Sequence, residues 1–274
     1  MNELKLVDST FSHNNAIGYA GENAGRQPDA FQWDTTPGDA DVKVWTDVRL
    51  QEAVIDTARR KIALLVEPYV IAKESYHTLL RVIHHFDAVL THHRALLVNY
   101  SKAHFYPFGG SWIKEWGMFD KTKLVSLIVG KKSITEGQWL RHGVAKRFGG
   151  RLDLFGEPYT HYLPSKVPML RPYRYSVVIE NCRQDYFFSE KLIDCLSQGT
   201  IPIYWGCPSI GRFFDSRGLI TFQTIDELET ILSKISVASY DEHYEVLYRN
   251  MEKARQYRCA EDWIWTHHPG LLEV

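Results

Sequence analysis

Polar chemistry is concentrated in one short stretch, ENCRQDYFFSEK, residues 180–191, set between the apolar run YSVVI and the helix-like LIDCLSQ. Glu180 closes the apolar run, Ser189 stands where a helix N-cap belongs, and Glu190 and Lys191 fall in the first turn that follows. A capped helix start presents unpaired backbone N–H groups and the positive end of the helix dipole, which suits a phosphate. A lysine in that turn opposes the dipole, so Lys191 calls for an anion such as a diphosphate; the plain alternative is a solvated surface lysine. Glu190 could cap the helix or accept two hydrogen bonds from ribose hydroxyls, and spacing alone leaves the two readings equal. Upstream, KIALLVEPYV (61–70) sets Glu67 at the end of a short apolar run, the place where functional groups collect in parallel sheets.

The bulk properties bound what such groups can do. The chain has 274 residues, 45% hydrophobic and 24% charged, with a net charge of −1. That is ordinary for a globular enzyme of one large or two modest domains. It supplies no basic field for nucleic acid or an anionic membrane, so an anionic ligand must be held by a few local cations. No run reaches the roughly 18 apolar residues of a membrane span, and MNELKLVDSTFSHN lacks a signal-peptide core. Four cysteines, Cys182, Cys195, Cys207 and Cys259, lie far apart with no CxxC and read as cytosolic thiols. A cytoplasmic protein is the expectation. There is no GxGxxG, P-loop, HExxH or DxD, and the adjacent histidine pairs would project in different directions, so no metal is expected.

The elements that must position these residues alternate. VKVW (42–45), KIALLVEPYV (61–70), DAVLTH (87–92) and HFYPFGG (104–110) read as strands, the last running into a turn. Helices are expected at 48–60 and 75–86, and residues 14–42 read as loops. SWIKEWGMFDKTK then reads as a linker. Beyond it the alternation restarts: strands at 123–130, 151–156, 175–180, 200–206 and 218–222, helices at 134–148, 189–198 and 224–235. Thr224 and Glu227 look like a capping box, and residues 241–257 look helical. Apolar strands alternating with helices mean mostly parallel sheets. The fold class expected is α/β, with two Rossmann-like domains facing across a cleft. Residues 1–115 are expected to form the N-terminal, acceptor-side domain and 116–240 the nucleotide-sugar-binding one, with a C-terminal helix at 241–274 packing back on the first.

YSVVIENCRQDYFFSEKLIDCLSQGTIPIYWGCPSI resembles the donor-binding motif of the alpha-1,3-fucosyltransferase family, glycosyltransferase family 10. That motif runs F-x-x-x-x-E-N, a short variable stretch, Y-x-T-E-K, a helix, then G-T-x-P-x-x-x-G. This chain has Glu180-Asn181, Glu190-Lys191 and GTIPIYWG at matching places. KLVSLIVGKKSITEGQWLRHGVAKRFGGRLDLFG is similar to the family's strand, arginine-bearing helix and second strand. The likeness covers residues about 120–225 well and the N-terminal half faintly.

The resemblance implies a GT-B fold and inverting transfer of L-fucose from GDP-fucose to a glycan acceptor, without a cofactor or required metal. Such a displacement needs a base on the acceptor hydroxyl and cations on the departing diphosphate. By the match, Arg141 and Lys191 would hold the diphosphate with help from Asn181, Glu190 would bind the ribose, and Glu180 belongs to the same donor site. Arg147, further along the same helix, is the less favoured arginine; the bland reading of Arg141 is a helix-face salt bridge. Glu67 is the candidate base, with Glu74 and Asp87 behind it; its bland reading is a plain strand end before Pro68. One departure stands out. The family's tyrosine three residues before its Glu-Lys pair is Phe187 here, with Tyr186 one place away, which bears on the donor sugar. Tyr69, Tyr76, Phe108 and Trp112 could line an acceptor groove or fill a core. A transferase for another nucleotide sugar and a non-catalytic nucleotide- or carbohydrate-binding module are the alternatives.

Overall fold

A computed structural model describes residues 2–9, 16–157, 159–160 and 164–273. The first half builds a parallel sheet from β1 (Asn2–Val7), β2 (Phe31–Asp34), β3 (Val42–Thr46) and β4 (Arg60–Leu64), followed by α1 (Tyr69–Val82), β5 (Ala88–Thr91), α2 (Arg94–Asn99) and β6 (Ala103–Phe105). Its strand order is β2-β1-β3-β4-β5-β6. The central strands β3, β4 and β5 are apolar because both faces of the sheet are covered: Val44, Ile62, Ala63 and Val89 are fully buried.

The second sheet is also parallel. It comprises β7 (Lys123–Ile128), α3 (Glu136–Phe148), β8 (Asp153–Phe155), α4 (Val167–Leu170), β9 (Tyr173–Ile179), α5 (Glu190–Ser197), β10 (Ile201–Trp205) and β11 (Ile220–Thr221), in the order β11-β10-β9-β7-β8. Pro202 is tolerated in β10 because β11 begins only opposite Ile203, leaving no ladder partner for it on that side. The chain ends with α6 (Ile225–Lys234), α7 (Val237–Glu242), α8 (Tyr244–Ala254) and α9 (Ala260–His267).

Several elements differ from the sequence reading. The helix expected over 48–60 is a 3-10 segment, Asp47–Val54, entered through Asp47 at φ 22°. The strand expected over 61–70 stops at Leu64, and α1 begins at Tyr69, six residues before its expected start, with Pro68 at its N-cap. Proline fits there because the first helical turn has no use for its missing N–H. Strands β1 and β2 lay unseen at the polar N-terminus and within the supposed loop. Each buries only alternate residues, Leu4 and Leu6 in one, Phe31 and Trp33 in the other, so neither shows an apolar run. The expected box at Thr224 is half formed. Glu227 N–H donates to Thr224 Oγ1, but the Glu227 carboxylate accepts from Gln223 N rather than from the cap.

The two sheets are tied at the crossing between them. Gly109 N donates to Phe188 O at 3.1 Å and Gly110 N to Tyr257 O at 3.0 Å. Gly109 has φ +51°, and a Cβ there would lie 2.4 Å from Tyr257 O. Helix α8 packs on α5 of the second sheet, whereas α9 returns to the first. Ala260 and Ile264 enter the apolar layer of Leu4, Leu6, Phe31 and Val44, and the Glu261 carboxylate accepts from Ile17 N and Trp33 Nε1. All four cysteines are buried free thiols. No helix among the described residues is long and apolar enough to cross a membrane.

Candidate functional site

The C-terminal ends of the two sheets border a cleft with two joined chambers. The larger, about 920 Å³, runs between the domains from Glu67 on one side to Arg141, Asn181, Glu190 and Lys191 on the other. The smaller, about 290 Å³, is an apolar recess over the ends of β7 and β9, walled by Val129, Val177 and Met169 among others. Trp112, Arg141, Glu190 and Lys191 face both chambers.

Glu180, the first residue beyond β9, is fully buried. Its carboxylate accepts from Ser189 N at 2.9 Å and Ser189 Oγ at 2.6 Å. The Ser189 hydroxyl in turn accepts from Lys191 N and so caps α5. Glu180 was expected to contact the donor. It does not line the cleft; it pins the strand end to the helix start. Helix α3 presses on the same corner. Gly137 N donates to Asn181 O at 3.1 Å, and a Cβ on Gly137 would lie 1.8 Å from Glu180 O. The glycine in ITEGQW is therefore required by close approach.

That contact aims Arg141, one turn further along α3's inner face, into the cleft. Arg141 is 9% exposed, its Nη2 donates to Asn181 Oδ1 at 2.5 Å, and its Nε has no partner. Burial pulls the guanidinium's pKa down, against the attraction of Glu180 and Glu190. The helix-face salt bridge belongs to Arg147, which reaches Glu229 and Asp226 on the outer surface.

Lys191 Nζ lies 3.2 Å from Glu190 Oε1 and 3.8 Å from Glu180 Oε2. Burial works against ionising Glu190, but Lys191 and Lys166, with hydrogen bonds from Lys191 and Ser189, hold its pKa down at about 2. Lys166, just before α4, is a cation that sequence reasoning missed. It lines the smaller chamber, sits 2.8 Å from Asp194 Oδ2 and 3.6 Å from Glu190 Oε1, and packs under the Trp112 ring at 3.9 Å. Its surroundings, LPSKVPML, carry no spacing signal, so only the fold brings it here.

Across the cleft, Glu67 lies three residues beyond the end of β4, on a turn rather than on the strand itself. The turn is held by Asp47, also missed, at the end of β3. Its two carboxylate oxygens accept from Val66 N at 3.0 Å and Glu67 N at 3.2 Å. Tyr76 OH donates to Glu67 O at 3.0 Å. Burial raises the pKa of the Glu67 carboxyl above its ordinary value, against the pull of Lys191 and Lys132, while Glu190 adds to the rise. Of the lesser acids, Glu74 is exposed on α1 beside His77, and Asp87 accepts from Lys61 N at the opposite, N-terminal end of β5.

The aromatic corner also resolves. Phe187 faces the large chamber, packed on His92 and Phe108. Tyr186, at φ 66°, turns the other way and packs against Phe105 and Phe213. It lines neither chamber, so the structure does not bring Tyr186 to the cleft as the sequence led one to expect. Phe108 and Trp112 line the cleft, whereas Tyr76 is buried under Glu67. Among the described residues no cluster of His, Cys, Asp or Glu is arranged to hold a metal ion.

No protein-family model matches the chain. The alpha-(1,3)-fucosyltransferase FucT of Helicobacter pylori is 33% identical over 66 residues, 23% of this chain and 14% of that protein. A crystal structure of alpha1,3-fucosyltransferase with GDP aligns with all of this chain and 91% of its own, at TM-score 0.56 and 13% identity. One with GDP-fucose aligns over 100% and 92%, at TM-score 0.57 and 12% identity. The structure of TarM aligns over 85% and 55%, at TM-score 0.57 and 11% identity. The likeness to these structures is one of fold, and the fold is the GT-B arrangement of two Rossmann-like halves expected from the sequence.

Proposed function

We propose that this protein is an inverting glycosyltransferase that moves a sugar, L-fucose from GDP-fucose, to a hydroxyl of a glycan acceptor. The observation that carries the reading is the cleft itself. A carboxyl with a raised pKa, Glu67, borders one side, and Arg141, Asn181, Glu190 and Lys191 border the other. The local sequence match and the fold neighbours solved with GDP and GDP-fucose support the choice of donor.

In this reading the acceptor oxygen attacks the anomeric carbon from the side opposite the diphosphate. The acceptor's proton passes to Glu67, the bond from anomeric carbon to phosphate oxygen breaks, and GDP departs. Arg141 and Lys191 neutralise the charge that develops on the diphosphate, which is where fixed cations contribute most. Lys191 must leave its present partners, Glu190 and Glu180, to do so. Asn181 positions Arg141 through their hydrogen bond. Glu190, ionised, accepts from the ribose hydroxyls. The Glu67 carboxyl takes a proton more readily than an ordinary glutamate, which suits a general base.

A thermal-shift series with GDP, UDP and CMP tests the donor, since a ligand that binds only the folded chain raises its Tm by mass action. GDP should stabilise and the others should not. Release of GDP from GDP-fucose in the presence of glycan acceptors then tests transfer. Stabilisation by UDP but not GDP would overturn the donor, and GDP binding without turnover would overturn the enzyme.

A further inference from the structure

Of the charged groups that line the cleft and that the proposed reaction does not use, Lys166 is the most enclosed. Lys166 has its ammonium between Asp194 at 2.8 Å and Glu190 at 3.6 Å, roofed by the Trp112 ring. Asp194 is fully buried on α5, and its other oxygen accepts from Ser111 Oγ and Trp112 N, both at 2.9 Å. One network thus joins the interdomain crossing, the start of α4 and the first two turns of α5. Burial opposes the charge on Lys166, but Asp194 and Glu190 outweigh it and raise its pKa.

A buried lysine with a buried aspartate would be complete as a pair. What needs explaining is the third member, Glu190, which shares its Oε1 between Lys166 and Lys191. The two lysines differ in freedom. Lys191 has 26% of its side chain exposed and reaches into the larger chamber, whereas Lys166 has 13% and is anchored by Asp194. A diphosphate entering the cleft competes for Lys191 and cannot draw Lys166 away from Asp194. Without a second cation, Glu190 would be left enclosed and unpaired at the moment it must accept hydrogen bonds.

We propose that Lys166 is a positioning residue of the donor site, the standing counterion that keeps Glu190 ionised and oriented when the donor's diphosphate takes Lys191. This rests on the donor reading above. It makes the Glu190–Lys191 pair an arrangement of the empty site and the Glu190–Lys166 pair that of the loaded one. The donor thereby exchanges one lysine contact for another charge without stranding a carboxylate, which would otherwise oppose binding.

Lys166→Met alone would strand buried Asp194 and is expected to destabilise the domain, so the test is the double variant Lys166→Met/Asp194→Asn. The asparagine Oδ1 can still accept from Ser111 Oγ and Trp112 N. GDP affinity is measured by calorimetry from pH 5 to 8, with the Tm of the free protein alongside. Wild type should bind GDP with little dependence on Glu190 across that range. The double variant should keep its fold, bind GDP at least 10-fold more weakly at pH 7, and lose further affinity as pH falls, because Glu190 then protonates in the accessible range. A merely structural role would lower Tm without adding that acid limb. Lys166→Arg, which keeps the charge, should bind without the limb and serves as the second variant if the first does not fold. A folded double variant with wild-type GDP affinity at every pH, or an acid limb in Lys166→Arg equal to that of the double variant, would overturn the proposal. Failure of wild type itself to bind GDP would instead remove the donor reading on which it rests.

Discussion

Replacing Arg141 with methionine should separate ligand binding from folding. The guanidinium is 9% exposed, its hydrogen bond goes to the neutral amide of Asn181, and its Nε has no partner. In the empty protein it is therefore a poorly compensated buried cation. Removing it loses one charge-assisted hydrogen bond, about 1.5–3 kcal/mol, and relieves a desolvation cost of similar size. Methionine fills much of the vacated volume and is unbranched enough to settle there. The Tm of free Arg141→Met should thus stay within about 4 °C of wild type, the shift that roughly 1 kcal/mol produces in a chain of this size.

Binding should respond differently. A hydrogen bond to a charged group contributes about 1.5–3 kcal/mol, and each 1.4 kcal/mol is tenfold in Kd. GDP affinity should therefore fall by roughly 10- to 150-fold. Calorimetric titration with GDP and a thermal melt of the same preparation measure both quantities. A GDP Kd within threefold of wild type would refute the placement of the diphosphate at Arg141. A Tm loss well beyond 4 °C would refute the claim that the arginine is held for ligand rather than for stability.

Glu67→Gln should lower kcat by roughly 10²–10⁴-fold, the scale of a general base, while GDP affinity stays within about threefold; equal turnover removes Glu67 from the chemistry. The wild-type kcat/KM should fall on the acid side with a pKa above that of an ordinary glutamate, because burial raises Glu67 and the base must be ionised; a rate profile that stays flat down to pH 4.5 contradicts that role. Glu261, in the first turn of α9, has its pKa pushed up to about 7 by burial, against hydrogen bonds from Ile17 N and Trp33 Nε1. The folded chain then binds a proton that the unfolded chain releases, so this contribution to stability is complete below the unfolded pKa near 4.5 and is lost as pH rises through about 7. Glu261→Gln, whose amide oxygen keeps both bonds, should flatten that decline in melts taken between pH 5 and 8; an unchanged slope removes Glu261 as its source. Tyr186→Phe should leave GDP affinity within twofold, since the ring packs against Phe105 and Phe213, and a larger loss would return its hydroxyl to the site.

The parallel α/β character was legible because it depends on local pattern. Buried strands such as IPIYW and helix starts such as Ser189 and Thr224 announce themselves within a few residues. The positions of Arg141, Asn181, Glu190 and Lys191 followed from the same local signals and the motif spacing, and the fold brings all four to one cleft. Strands β1 and β2 were not legible, because burial of alternate residues leaves no apolar run to see.

What tertiary structure alone decided was partnership. Nothing in the run YSVVIENCR distinguishes a ligand contact from a clamp for Glu180; only the arrival of Ser189 beside it makes it the latter. Whether Tyr186 or Phe187 faces the cleft turned on a positive φ that no residue type at that place dictates. Asp47 and Lys166 act across 20 and 24 residues, respectively, on Glu67 and Glu190. A charge's role is set by what lies within a few ångströms of it, and the sequence determines those neighbours only by folding.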